Sequence, residues 1–165
     1  MAVTLQNSVE YTNSIANPIT TQAQPHEAMG RLRIAFFNHI QDGAGDATSS
    51  VALCKLPAGK LRLLSSLSRA YVNWTTGSAT LDLGWDAHTN ADGTAVAADP
   101  NGLVDGLAVD TAAYYTLEGA LAAEKVTGGT HVLDSQEGVV IRATSQDTAI
   151  VSADDLVGYL IYVID

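Results

Sequence analysis

The chain has 165 residues, enough for one domain built around a single core. Apolar residues make up 47% and charged ones only 16%, a globular composition and neither a disordered nor a fibrous one. A net charge of −10 argues against nucleic-acid binding, which needs Lys and Arg to displace phosphate counterions, and against an anionic membrane surface.

Residues 1–30 differ from the rest. They are rich in Gln, Asn, Thr and Ser, contain Pro18 and Pro25, and hold no period of 2 or 3.6 for more than a few residues. They read as an extended arm unable to bury enough surface to fold alone. Either the arm is a frayed tail, or Val3, Leu5, Val9, Tyr11, Ile15 and Ile19 dock along a neighbouring surface with Arg31 and Arg33 at its root. The first eighteen residues lack the basic start and apolar block of a signal peptide, and the longest strongly apolar run, "LIYVI", is too short to cross a bilayer. A soluble product made in the cytoplasm is expected.

From Arg31 to Asp165 the pattern is β. "RLRIAFFNHI" ends at the glycine-containing "QDGAGDATSS", and "SVALCKL" leads through the "PAG" turn into "KLRLLSSLSRAYVNW". That last stretch is serine-rich and alternates only in part, which predicts a strand bent or bulged near Ser65 and Ser66. "SATLDLGW" sets Leu81 and Leu83 against Asp82 and Gly84; "THVLDS", "GVVIRATS" and "LVGYLIYVI" complete seven to nine short strands. Two segments have some helical character: "DPNGLVDGLAVDTAAYY", weakened by Gly102 and Gly106, and "TLEGALAAEKV". The predicted fold is an all-β antiparallel sandwich, jelly-roll-like, over 31–165, with the arm outside it.

Charge is unevenly placed along the chain. Residues 1–80 carry six basic and four acidic groups, a net of +2, whereas residues 81–165 carry two basic and fourteen acidic, a net of −12. Either the fold mixes the halves or one face is distinctly acidic, with the other turned to a partner.

Catalytic patterns are missing. "DGAGDATSS" has glycines but no lysine and runs into a strand, so it does not read as a phosphate loop. His26, His39, His88 and His131 stand far apart, none with a partner at metal-ligand spacing. No G-x-S-x-G occurs, and pairs such as Asp82 with Asp86 or Asp154 with Asp155 are what an acidic surface also supplies. Cys54 is the single cysteine, set in the apolar "SVALCKL", and reads as a buried inert thiol in a reducing compartment. In "DAHTNADGTAVAAD" (86–99) a calcium count would begin at His88, a poor ligand for a hard cation, while Asn-Ala-Asp-Gly suits a tight turn. No catalytic residue, metal or cofactor is expected.

Four stretches in order, "VALCKLPAGKLRLL" (51–64), "ATLDLGW" (79–85), "NADGTAVAADPNGLVDG" (90–106) and "GYLIYVID" (158–165), resemble the capsid cement, or head decoration, proteins of tailed bacteriophages. The resemblance runs from near Thr48 to the C-terminus, about two-thirds of the chain, and leaves the arm outside. It implies a non-enzymatic β-sandwich on the outer surface of a virion. It also implies association as a homo-oligomer, a trimer, bound to the major capsid protein and bridging capsomers against DNA pressure. The alternative is a tail-fibre or carbohydrate-binding module stacking sugars on Trp74, Trp85, Tyr114 and Tyr115, residues that would otherwise pack in the core.

Overall fold

Side chains alternating across strands decide the architecture. The computed structural model describes residues 31–74, 76–117 and 129–165. The arm with Val3, Leu5, Val9, Tyr11, Ile15 and Ile19, and all but the first two residues of "TLEGALAAEKV", lie outside them. The strands are β1 (Arg33–Ile40), β2 (Ser50–Leu56), β3 (Gly59–Leu64), β4 (Arg69–Asn73), β5 (Thr80–Trp85), β6 (His88–Thr89), β7 (Ala95–Val96), β8 (Asp99–Ala108), β9 (Ala113–Thr116), β10 (Thr130–Ser135), β11 (Val139–Ser145) and β12 (Asp155–Ile164).

They form two antiparallel sheets. In the first, β12 is central: β1 lies along one edge, β4 and β3 lie end to end along the other, and β9 and β10 extend these outward. The second runs β2-β11-β5-β8, and β6 with β7 makes a small separate hairpin. Taking β3 with β4 and β9 with β10 as two halves of one strand each leaves eight long strands. Their order, 1-8-3-6 against 2-7-4-5, is that of a jelly roll folded from two Greek keys. The predicted seven to nine strands are thus recovered once the broken ones are joined.

The core lies between the sheets. In β11, Val139, Ile141, Ala143 and Ser145 are buried while the residues between them are half exposed. They meet Leu81 and Leu83 of β5, and Leu61, Leu63, Val72, Leu156 and Leu160 of the opposite sheet complete one cluster. Phe37 pairs across the strands with Gly158, and its ring fills the space a side chain there would take. A Cβ at Gly158 would lie 2.7 Å from that ring and closer still to the Arg69 carbonyl.

The break expected near Ser65 is a 3₁₀ turn, Ser65–Leu67. Between the β4 and β3 pairings, β12 advances from Tyr159 to Tyr162 while the opposing chain runs from Arg69 back to Leu63. The turn therefore removes ladder partners from the middle of the sheet. Ser68, fully buried, replaces them: its Oγ donates to the Leu64 carbonyl (2.9 Å) and accepts from the Ile161 N–H (2.9 Å). Its own N–H bonds the Ser65 carbonyl at 3.1 Å, and its carbonyl takes the Leu117 N–H at 2.9 Å. Every backbone group freed by a buried bulge needs such a partner.

The segment from Asp99, given helical character by its sequence, is instead the edge strand β8 with β9 after a short connection. The reason lies in the same glycines that weaken a helix. Asp105 and Gly106 together oppose Asp82, and Gly106 takes φ +65°, a bulge that keeps Val104 and Leu107 against β5. Pro100 is tolerated because its strand is an edge. The buried Asp82 carboxylate accepts the Gly106 N–H at 2.7 Å. The Gln146 amide nitrogen, turned to donate, lies 3.1 and 3.2 Å from its two oxygens.

Two measurements follow from these contacts. Ser68→Ala strands a buried N–H and a buried carbonyl, and should cost about 1–3 kcal/mol in denaturant unfolding, whereas a change under a few tenths would mean that the hydroxyl is dispensable. Burial raises the Asp82 carboxyl above its usual range; the Gly106 bond opposes this and nearby Asp105 and Asp147 add to it. The folded state therefore holds the Asp82 proton more tightly than the unfolded chain. Its penalty is complete at neutral pH and relieved as pH falls through the raised pKa toward 3.8. Asp82→Asn should thus melt higher than the wild type at pH 7, with the gap closing on acidification; a gap independent of pH would contradict this.

Candidate functional site

The outward face of the first sheet, where β1, β12, β4 and β9 lie side by side, carries more exposed apolar and aromatic side chains than an antiparallel sheet normally turns to water. The register fixes its composition. One row across the strands reads Thr116, Arg69, Tyr159, Phe36; the next Tyr114, Tyr71, Val157, Asn38; the third Asn73, Asp155, Ile40. Ile161 and Ile34 extend the apolar band at one end. Phe36 is 73% exposed, Tyr114 76%, Ile40 60% and Ile34 51%.

These rings are arranged rather than scattered. Phe36 meets Tyr159 edge-on, with centroids 6.2 Å apart and planes at 67°. Tyr71 and Tyr114 are tilted at 59° with centroids 5.2 Å apart. Between the pairs runs an open groove of about 630 Å³, lined by Phe36, Arg69, Tyr71, Tyr114, Val157, Gly158 and Tyr159. Arg69 stands there with no ion pair to any described residue. Contiguous exposed apolar area of this kind is characteristic of surfaces that meet other molecules.

The sequence points to a contact in the arm, whose Val3, Leu5, Val9, Tyr11, Ile15 and Ile19 lie outside the described residues. Of its named residues, Arg31 and Arg33 are described; both are exposed at the entry to β1, on the border of this face. The missed residues carry a readable signal: "RIAFFNHI" and "LVGYLIYVI" are apolar at odd and even positions alike, a pattern that asks for cover on both sides of a strand. The proposed sugar platform does not assemble. Trp74 is in the core. Trp85 is half-buried, stacked on His131 at 4.9 Å and pressed over Gly102. Tyr115 turns inward from Tyr114, its hydroxyl donating to the Thr111 carbonyl at 2.5 Å.

Of the carboxylates singled out in the sequence, Asp82, Asp86 and Asp154 have structural partners. Arg142 clasps Asp86 through Nε (2.6 Å) and Nη2 (2.7 Å), which holds the Asp86 carboxyl below its usual range and ties the end of β5 to β11. Asp154 accepts the Val151 N–H at 3.1 Å. The stretch 86–99 is the β6–β7 hairpin: Asn90 N–H bonds the Thr94 carbonyl (2.8 Å), Gly93 takes φ +89°, and Asp92 accepts the Thr94 N–H (2.8 Å). Among the described residues no group of three His, Cys, Asp or Glu side chains is placed to hold a metal. No described helix is long and apolar enough to cross a membrane.

Charge does not segregate by halves of the chain. β12, from the acidic half, lies between β1 and β3–β4 of the other half, so each sheet draws on both.

No protein-family model and no curated protein matches the sequence. Among solved structures, a chain of the cyanophage Pam1 capsid asymmetric unit superposes over 91% of this chain and 96% of that one, with a TM-score of 0.54 and 15% identity. Chains of infectious bursal disease virus, Gx and Gt strains, align with 81% of this chain at 12% and 9% identity and TM-scores of 0.44 and 0.48; this chain spans about a third of their length. The fold is one found in viral capsid chains.

Cys54 is half-buried, and burial pushes its thiol from 9.0 up to about 11. Two pKa units leave roughly a hundredth of the thiolate of an unshifted thiol. Reaction with a disulfide reagent at pH 8 should be slower by about that factor than in the unfolded chain; equal rates would show the thiol to be open.

Proposed function

We propose that the chain is a structural protein of a virus particle, a cement protein on the outer surface of a tailed-phage capsid that bridges neighbouring capsomers. One observation carries this reading. The Pam1 capsid chain is matched over 96% of its length, so the likeness extends over nearly all of that chain and is not confined to one domain of it. The resemblance of four stretches to cement proteins, and an apolar sheet face suited to contact, support it further.

A cement protein acts by contacts repeated over many copies, where modest affinities add through multivalency. The arm suits contact with the major capsid protein. Its Val3, Leu5, Val9, Tyr11, Ile15 and Ile19 gain a core on binding, and Arg31 and Arg33 flank its root. The trimer of the cement family belongs to the same reading.

Heads prepared without the protein should take it up in a fixed, saturable copy number when the two are sedimented together. Substoichiometric or absent uptake would overturn the proposal. Deleting residues 2–29 should leave the melting temperature nearly unchanged and weaken uptake at least tenfold; unchanged uptake would move the contact off the arm.

A further inference from the structure

The aromatic face carries only two charges over the area spanned by β1, β12, β4 and β9, and they are placed symmetrically. Arg69 pairs across the strands with Tyr159 and Asp155 with Asn73, each two residues from the central Tyr71–Val157 pair. Neither makes an ion pair with a described residue. Both lie on the outward side, Arg69 in the row of Tyr159 and Phe36 and Asp155 in the row of Asn73 and Ile40.

We propose that this face packs against the same face of a second copy of the chain. The two are related by a two-fold axis lying between the sheets and crossing the strands at Tyr71 and Val157. Such a rotation reverses strand direction, so the Arg69 row of one copy lies over the Asp155 row of the other. Asp155 of the second copy then stands over Tyr159, one strand spacing, about 4.8 Å, from the Arg69 column. Phe36 lies over Ile40 of the second copy. Each copy gives one cation and receives one, so the contact closes on itself, as an isologous interface must.

Three considerations favour a second copy over another occupant. A chain of net charge −10 repels itself over most of its surface, and this face, balanced at one charge of each sign, is where two copies approach without that cost. Its charges are complementary to themselves under the same operation that sets Tyr71 and Tyr114 over their counterparts. Its flat footprint, eight residues of β1, ten of β12, five of β4 and four of β9, is about 440 Å², and side-chain relief raises the accessible area toward the roughly 800 Å² per partner that a stable pair buries. The pairing does not depend on where in a particle the chain sits, nor on any further contacts that gather copies into rings.

Charge reversal tests it on the free full-length protein. Within one copy Arg69 and Asp155 are four residues apart along the strands, about 14 Å, beyond the ~8 Å screening length at physiological salt. Coupling between them therefore reports contact between copies. In sedimentation equilibrium the wild type should contain an even number of chains, two, or six where the trimer also forms. Arg69→Asp and Asp155→Arg should each weaken association at least tenfold and halve the mass, and the double reversal should recover the wild-type constant within about threefold. Circular dichroism checks that each variant is folded. A wild type that is monomeric or odd-numbered at 100 micromolar on the order of a strong pair's saturation, or a double variant no tighter than the singles, overturns the proposal. If removal of residues 2–29 is what allows pairing, the arm covers the face in the full chain and the second copy is ruled out as its occupant. These readouts involve no heads, so failure here leaves the cement reading standing, and failed uptake leaves this one standing.

Discussion

A single hydroxyl reconciles two demands on the middle of the first sheet. The chain from Gly59 to Asn73 must run along β12 for its whole length, and it must also break to pass the 3₁₀ turn. Ser68 answers both by donating to one freed carbonyl and accepting from one freed N–H. Without it, a buried donor and a buried acceptor face each other across a gap, each worth more than the net gain of an ordinary hydrogen bond. The outward rows depend on that repair, because the pairing of β4 with β12 sets Tyr71 beside Val157 and Arg69 beside Tyr159.

The two sheets meet water differently. On the second, Arg142 and Asp86 clasp one another and half-exposed Thr144 and Arg142 alternate with the core. On the first, Ile34, Phe36, Ile40 and Tyr114 are more than half exposed on the outward side of β1 and β9. This asymmetry is what separates a stable sandwich from an associating one: a core needs one apolar face per sheet, and any second apolar face is available for other chains.

Much of this was readable from the sequence. Alternation in "SATLDLGW" located a strand, the serines of "LLSSLSRA" located the break, and Asn-Ala-Asp-Gly located the tight turn between β6 and β7. Two things were not. Gly102 and Gly106 weigh against helix and strand alike in a local view, and only pairing with β5 shows that they make bulges. The aromatic face was missed because its residues come from four strands, and no single strand places Phe36, Tyr71, Tyr114 and Tyr159 together. Trp74 and Trp85 drew attention as large rings, but ring size says nothing about which side of a strand faces solvent.

The pairing of β1 with β12 also governs when the fold can form. Arg33 sits opposite Tyr162 and Ile40 opposite Asp155, partners more than a hundred positions apart in the chain. During synthesis β1 emerges early and waits for the last strand to be made, with Phe36 and Phe37 unsheltered on both of its sides. Closure of so long a loop is slow, and unpaired strand edges aggregate while they wait. A ribosome-bound chain of this topology is therefore a natural client for chaperones that hold extended apolar segments, until translation reaches the final turn of the roll.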